Sequence, residues 1–284
     1  MREHKESTMK KYALGARALI YIAVLISFFP IFWTLSTSFK IPKESIEPLF
    51  FPFIGYKPTL VNWNHQLTTG GNEVYKSLSN SLIIAACSTG IALILGILAG
   101  YSIARFRFRR IKEGDIAMWV LSQLFIPPVV VVIPIFLMIQ FFHLLDTRLS
   151  LIIAHTTFSI PIATLLMRDV FLSLPYEVEE SALVDGCSRF GALLRIAMPL
   201  AAPAIVSAGI LCFAFSWNEF IFALTLTYDR ATTIPLLIAG ARMNQGVLFG
   251  PLSVRAILAI LPPTILVMFV QRYIVRGLTL GAVK

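Results

Sequence analysis

Residues 81–110 read SLIIAACSTGIALILGILAGYSIARFRFRR. The 24 residues from Ser81 to Ala104 carry no charged side chain, and the six that follow hold Arg105, Arg107, Arg109 and Arg110. A helix rises about 1.5 Å per residue, so roughly 20 apolar residues cross a bilayer core about 30 Å thick. The run is long enough to span lipid and ends where four guanidinium groups must reach water or headgroups. It lacks the period-two alternation of a barrel strand, and only helices and closed barrels satisfy the backbone in lipid. The stretch is therefore read as a transmembrane helix.

The same test applied outward finds five more such runs: Ala18 to Phe39, Ala117 to Phe142, Ser150 to Phe171, Ala204 to Thr227 and Val254 to Tyr273. The chain has 284 residues, 57% hydrophobic and 14% charged, against about 25% charged in an ordinary soluble domain. The expected fold is all-α, a membrane bundle of six transmembrane helices with little soluble mass. The first run exceeds the apolar core of a signal peptide and lacks a clear A-x-A site, so it is read as retained. Cys87, Cys187 and Cys212 show no pairing or histidine spacing that would make a metal or redox site.

With Arg168, Arg255 and Arg272, which lie at the ends of spans, counted to the nearer side, sixteen of the 24 Lys and Arg residues fall on one side and eight on the other. By the positive-inside rule both termini are expected in the cytoplasm, and the net charge of +9 reflects topology rather than nucleic acid. The arginines after Ala104 then mark the cytoplasmic end of the second span, where snorkelling explains them. Of the outer loops, the first contains VNWNHQLTTGGNEVY, polar and turn-rich, with Trp63 suited to the membrane interface.

The longest inner connection reads LSLPYEVEESALVDGCSRFGALLRIAMPLAAPAI, residues 172–205. Pro175 suits a first helical turn, the acids Glu177, Glu179 and Glu180 complement the positive end of the macrodipole, and Gly186 is a left-handed stop. Ser188 can cap a second short helix that ends before Pro199. From Leu172 to Pro203 the segment carries four acids and two arginines, a net charge of −2. A hairpin lying on an anionic leaflet would be basic, so an acidic one suits docking to another protein. Ser181 and Ala182 make the helix slim enough to enter a groove, with the acids at its rim.

Glu219, in SWNEF, is an acid within the fifth apolar run. An ionisable group at that depth faces a cavity or a partner, so Trp217, Asn218 and Glu219 are read either as lining of a translocation path or as a structural hydrogen-bonding group. Gln123, Gln140, His143, His155, Thr156 and Thr157 are polar groups expected to bridge helices. No Gly-Lys dipeptide occurs, so the chain has no Walker A loop. No catalytic constellation and no metal-ligand spacing is present. An ion-coupled secondary transporter using Glu219 is the alternative, although the related halves expected of one are not seen.

EESALVDG followed by IAMPLAAPAI resembles the EAA loop of the membrane subunits of bacterial ATP-binding-cassette importers: Glu-Ala-Ala, then three residues and a Gly, and later Ile-x-x-Pro. The matching residues are Glu180, Ser181, Ala182, Gly186, Ile196 and Pro199, with Asp185 before the glycine. NSLIIAACST, AGYSIARFRF, IPPVVVVIPIF, SWNEFIFAL and QRYIVRGLTLGAVK resemble, in order, the carbohydrate branch that includes the second permease of the maltose importer. The resemblance implies a type I importer permease: residues 1–75 with the first span, a five-helix transport domain over 76–271 containing the coupling loop, and a tail over 272–284. It implies ATPase coupling through Glu179, Glu180, Ser181, Ala182, Asp185, Gly186 and Pro199, and tail contacts to the ATPase at Gly277, Gly281 and Lys284. The implied partners are a sister permease, a dimer of ATPase subunits and an extracytoplasmic sugar-binding protein. ATP and magnesium would be bound by the ATPase subunits, with no cofactor in this chain, in the bacterial cytoplasmic membrane.

Overall fold

The computed structural model describes residues 2–41, 43–47, 51, 53–68, 71–240, 242–243 and 246–279. Among the described residues the fold is all-α apart from an antiparallel pairing of Arg242–Met243 with Gly246–Val247. Among the described residues five helices are long and apolar enough to cross a membrane, and six if one sharply bent pair is a single span. The chain divides into two compact units, one formed by 1–72 with 241–258 and the other by 73–240 with 259–284.

In the first unit, α1 (Arg2–Ser38) carries the first apolar run. VNWNHQL is helical rather than a turn: it forms α2 (Val61–Leu67). The reason lies at the end of α1, whose last carbonyls have no intrahelical partner. The buried Asn62 amide donates to the carbonyls of Ser38 (3.1 Å) and Lys40 (2.6 Å), and the Trp63 indole donates to Ser38 Oγ at 3.1 Å. Lys40 is fully buried, its ammonium 4.3 Å from the Trp33 ring centre and 5.2 Å from that of Tyr56.

The second unit holds α3 (Gly71–Arg105), α4 (Glu113–Gln123), α5 (Pro128–Phe141), α6 (Arg148–Ser173), α7 (Tyr176–Val184), α8 (Arg189–Ala192), α9 (Met198–Asn218), α10 (Ile221–Leu226) and α11 (Ile234–Ala239). α12 (Phe249–Thr279) is shared between the units. Three of the expected elements differ. The run Ala117 to Phe142 is not one straight helix: α4 and α5 meet at 87°, because Pro127 and Pro128 cannot supply backbone N–H groups and force the preceding backbone out of the helical region. The fifth span ends at Asn218, not Thr227, and restarts as α10. The second helix of the hairpin after α6 does not stop at Pro199 but runs on through a π-helical turn, Leu193–Ala197, into α9. The wider turn changes the carbonyl register ahead of Pro199, whose ring would otherwise meet the carbonyl four residues back.

The core of this unit is the α3, α6 and α9 triple. Ile97, Tyr101, Met167, Phe171, Leu193 and Ala201 form one buried cluster, and Ile84, Leu151, Phe222 and Leu226 anchor another nearer the break after α9. α3 and α6 approach to backbone contact: a Cβ on Gly96 would lie 2.5 Å from Ala163 Cβ, and one on Gly100 would lie 2.7 Å from the Arg168 nitrogen. Small residues permit such contact in membrane helices, where lipid is as apolar as leucine and packing must supply the attraction. Large side chains such as Leu25, Phe125, Ile133 and Phe269 are exposed, as a lipid-facing surface requires.

Candidate functional site

The hairpin after α6 is built as a short helix with a defined stop. Gly186 has φ of +84°, its N–H donates to the Leu183 carbonyl (3.1 Å), and the Cys187 N–H donates to that of Ala182 (2.9 Å). These are the two bonds of a Schellman motif, and the left-handed residue is the glycine. Ser188 then caps the next helix, accepting from the Gly191 N–H at 3.1 Å.

The two adjacent glutamates of α7 point in different directions. Glu180 is exposed, with Ser181, Asp185 and Gly186, while Ala182 is half-buried and Pro199 exposed. Glu179 is 3% exposed. Its carboxylate accepts from the Tyr101 hydroxyl (2.8 Å) and from Arg105 Nε (3.0 Å) and Nη2 (2.8 Å). The Arg105 guanidinium also donates to the Leu174 carbonyl (3.2 Å) and lies 5.4 Å from the Tyr176 ring centre. Arg105 is therefore no snorkelling residue: its side chain is 5% exposed and spent inside the protein.

The polar stretch of the fifth span sits at the break between α9 and α10. Glu219 is extended, and its carboxylate accepts from the N–H groups of Phe222 (2.9 and 3.1 Å) and Ala223 (3.3 Å), capping α10. His155 Nε2 lies 3.2 Å from Glu219 Oε2, without the alignment of a hydrogen bond. His155 Nδ1 and Ser216 Oγ share a 2.7 Å hydrogen bond, and Ser88 Oγ donates to Ser216 Oγ at 3.0 Å. Three helices thus meet on one polar thread.

Trp217 and Asn218 line a cavity of about 470 Å³, with Phe220, Pro235, Ile238 and Pro263. The Trp217 indole donates to the Ala259 carbonyl at 3.2 Å and stacks on Phe213 with ring centres 5.7 Å apart. Glu219 is not among the lining residues: its charge is turned toward α10 and His155. Of the tail residues, Gly277 lies on α12, whereas Gly281 and Lys284 fall outside the described residues. Among the described residues no group of His, Cys, Asp and Glu is arranged to hold a metal ion.

The family profile of the binding-protein-dependent transport system inner membrane component matches residues 92–280. The chain belongs to this family. The permease is 32% identical over 269 residues to the sulfoquinovosyl glycerol transport system permease protein SmoH of Agrobacterium fabrum, covering 93% of this chain and 91% of that one. It is 31% identical over 284 residues to the trehalose/maltose transport system permease protein MalG of Thermococcus litoralis, covering 99% of each. Its fold is similar to that in the crystal structure of a bacterial ABC transporter involved in the import of the acidic polysaccharide alginate, with a TM-score of 0.75 and 22% identity over 93% of this chain and 97% of that one. Membership makes the chain a transport subunit rather than an enzyme.

Sequence spacing did not reveal one polar knot of this permease, at the end of α3 remote from Arg105. Asp146 has φ of +58°, is 5% exposed, and accepts from the backbone N–H groups of Tyr228 (3.2 Å), Asp229 (3.1 Å), Arg230 (2.9 Å) and Ala231 (3.2 Å). Asn80 donates to the carbonyls of Arg230 and Thr232 and accepts from Arg148 at 2.7 Å. The only signal was an acid in a short loop, and its four donors lie more than 80 residues away. Burial pushes the Asp146 carboxyl up, but the four N–H groups outweigh it and hold it below its ordinary value of 3.8. A lowered folded pKa gives stability that is complete above the unfolded value and is lost as pH falls through the folded one. Asp146→Asn is expected to cost about 1–3 kcal/mol at neutral pH. In thermal unfolding of the detergent-solubilised permease, the gap from the unaltered protein should narrow below about pH 4; a gap independent of pH would contradict the charge-based account.

Proposed function

We propose that this permease moves a sugar or sugar derivative across the bacterial cytoplasmic membrane by alternating access, with both termini cytoplasmic. An extracytoplasmic binding protein delivers the sugar, a related sister permease completes the passage, and a dimer of ATPase subunits binding ATP and magnesium supplies the work. The geometric observation that carries this reading is α7: a short helix, stopped by a Schellman glycine, whose exposed side combines Glu180 and Asp185 with the slim Ser181. That face suits a groove with basic groups at its rim. Relatives named for trehalose, maltose and sulfoquinovosyl glycerol transport, matched over nine-tenths or more of their length, support a sugar as cargo.

Trp217 and Asn218 are the residues proposed to line the path, since an aromatic wall with a few polar groups suits a sugar ring. Glu219 serves instead to hold the break in the fifth span. A carboxylate already engaged by the N–H groups of α10 is a poor carrier of coupling protons, which counts against the ion-driven alternative. Gly277, Gly281 and Lys284 are proposed as further ATPase contacts.

The test is reconstitution of the permease with its sister, ATPase and binding protein in liposomes. Sugar uptake should require both luminal-side ATPase access to ATP and the binding protein outside. Uptake that proceeds without ATP, or collapses with the proton gradient alone, would replace this reading with the secondary transporter.

A further inference from the structure

The buried cluster beneath α7 has no place in a scheme where the acids of the loop all face the ATPase. We propose that Glu179, Arg105 and Tyr101 form a latch that makes α7 and the end of α3 one moving part, so that Glu179 is a positioning residue for coupling rather than an ATPase contact. The inference rests on the reading of α7 as the helix on which the ATPase acts.

A nine-residue helix pushed from outside transmits force only through what ties it to the bundle. At one end α7 joins α6 through Leu174 and Pro175, and at the other it turns through Gly186, a left-handed joint. Neither connection is helical, so neither carries α7 as a continuous rod into the next helix. Among the described residues, Glu179 and Arg105 make the one ion pair between α7 and another helix.

That pair is built to be stiff. The guanidinium is a rigid fork, two of its N–H groups meet one carboxylate oxygen, and the Tyr101 hydroxyl takes the other. Side-chain exposures of 5% and 4% keep water from replacing either partner. Arg105 further ties the Leu174 carbonyl, while Tyr101 packs edge-on against Phe171 of α6 with ring centres 5.3 Å apart. Beyond the latch, Gly96 and Gly100 hold α3 in backbone contact with α6. Displacement of α7 is thereby delivered to α3, and from α3 to α6, instead of being absorbed at the loop joints.

The test uses the whole reconstituted importer carrying Glu179→Gln, Arg105→Lys or Tyr101→Phe. The readouts are sugar imported per ATP hydrolysed, stimulation of the ATPase by liganded binding protein, and the amount of ATPase that co-purifies. Glu179→Gln should retain the ATPase yet lower sugar imported per ATP about tenfold, the scale on which residues remote from both ligands alter coupling. Arg105→Lys keeps the charge and loses the fork, and should fall between it and the unaltered importer. Tyr101→Phe removes one bond without exposing a charge, and a smaller fall in the same ratio is expected from it even where Glu179→Gln does not assemble. An unchanged ratio, whether both rates fall together or neither does, overturns the latch. Loss of co-purifying ATPase in a Glu179→Gln permease that still folds, with the Tyr101→Phe ratio unchanged, would also overturn it, by making Glu179 a contact. If the unaltered importer takes up sugar without ATP, the proposed function fails first and the latch with it.

Discussion

Glu180→Arg should lower ATP-driven uptake on the order of a hundredfold while the permease still reaches the membrane. Glu180 is exposed and takes part in no ion pair among the described residues, so its replacement removes no bond that holds the fold. Reversal instead sets a cation against the basic rim proposed on the ATPase, and like charges brought together at an interface cost several kcal/mol. At about 1.4 kcal/mol per factor of ten in affinity, that is enough to empty the docking site at ordinary concentrations. Glu180→Gln removes the attraction without adding repulsion and should have a smaller effect. The measurement is uptake into membrane vesicles alongside ATPase co-purification. Full uptake by the arginine variant with the ATPase still bound would remove Glu180 from the coupling surface.

The second large effect is expected inside the bundle. Gly100→Ala places a methyl 2.7 Å from the Arg168 nitrogen and 2.8 Å from the Thr164 carbonyl oxygen, both backbone atoms that cannot rotate away. α3 and α6 must separate, at a cost of about 1–3 kcal/mol, and the Tyr101 edge contact on Phe171 opens with them. Gly90→Ala, ten residues earlier on α3, meets nothing within 4 Å. It should leave stability unchanged or raise it by up to about 1 kcal/mol, since alanine is the better helix former. Thermal unfolding in detergent compares the two directly. Equal shifts would show that the α3–α6 approach is looser than the structure has it.

The same contrast marks what could be read from the linear chain. Hydrophobic runs, charge asymmetry and the order of EESALVDG and IAMPL pointed to an all-α membrane permease, because lipid leaves the backbone few solutions and each solution writes a long local signal. Gly186 and Ser188 were legible for a related reason: a helix stop and a helix cap are satisfied by neighbours one to five residues away. Breaks in helices were harder. Two prolines bend α4 against α5, yet Pro199 ends nothing, and which outcome follows depends on whether an adjoining π turn takes up the strain.

Direction is what the sequence left open. Glu179 and Glu180 are chemically identical neighbours on one helix, and only the arrival of Tyr101 and Arg105 from a helix more than 70 residues away turns one inward and leaves the other in water. Glu219 next to Asn218 repeats the case: the amide lines a cavity, while the carboxylate caps α10 beside His155. Asp146 drew no attention until four distant N–H groups converged on it. The sequence by itself determined that this chain spans a membrane as helices and presents an acidic loop, since burial in lipid and local capping act residue by residue along the chain. Tertiary structure alone decided which charges are spent inside, because a buried charge is defined by partners that the chain must fold to bring within about 3 Å.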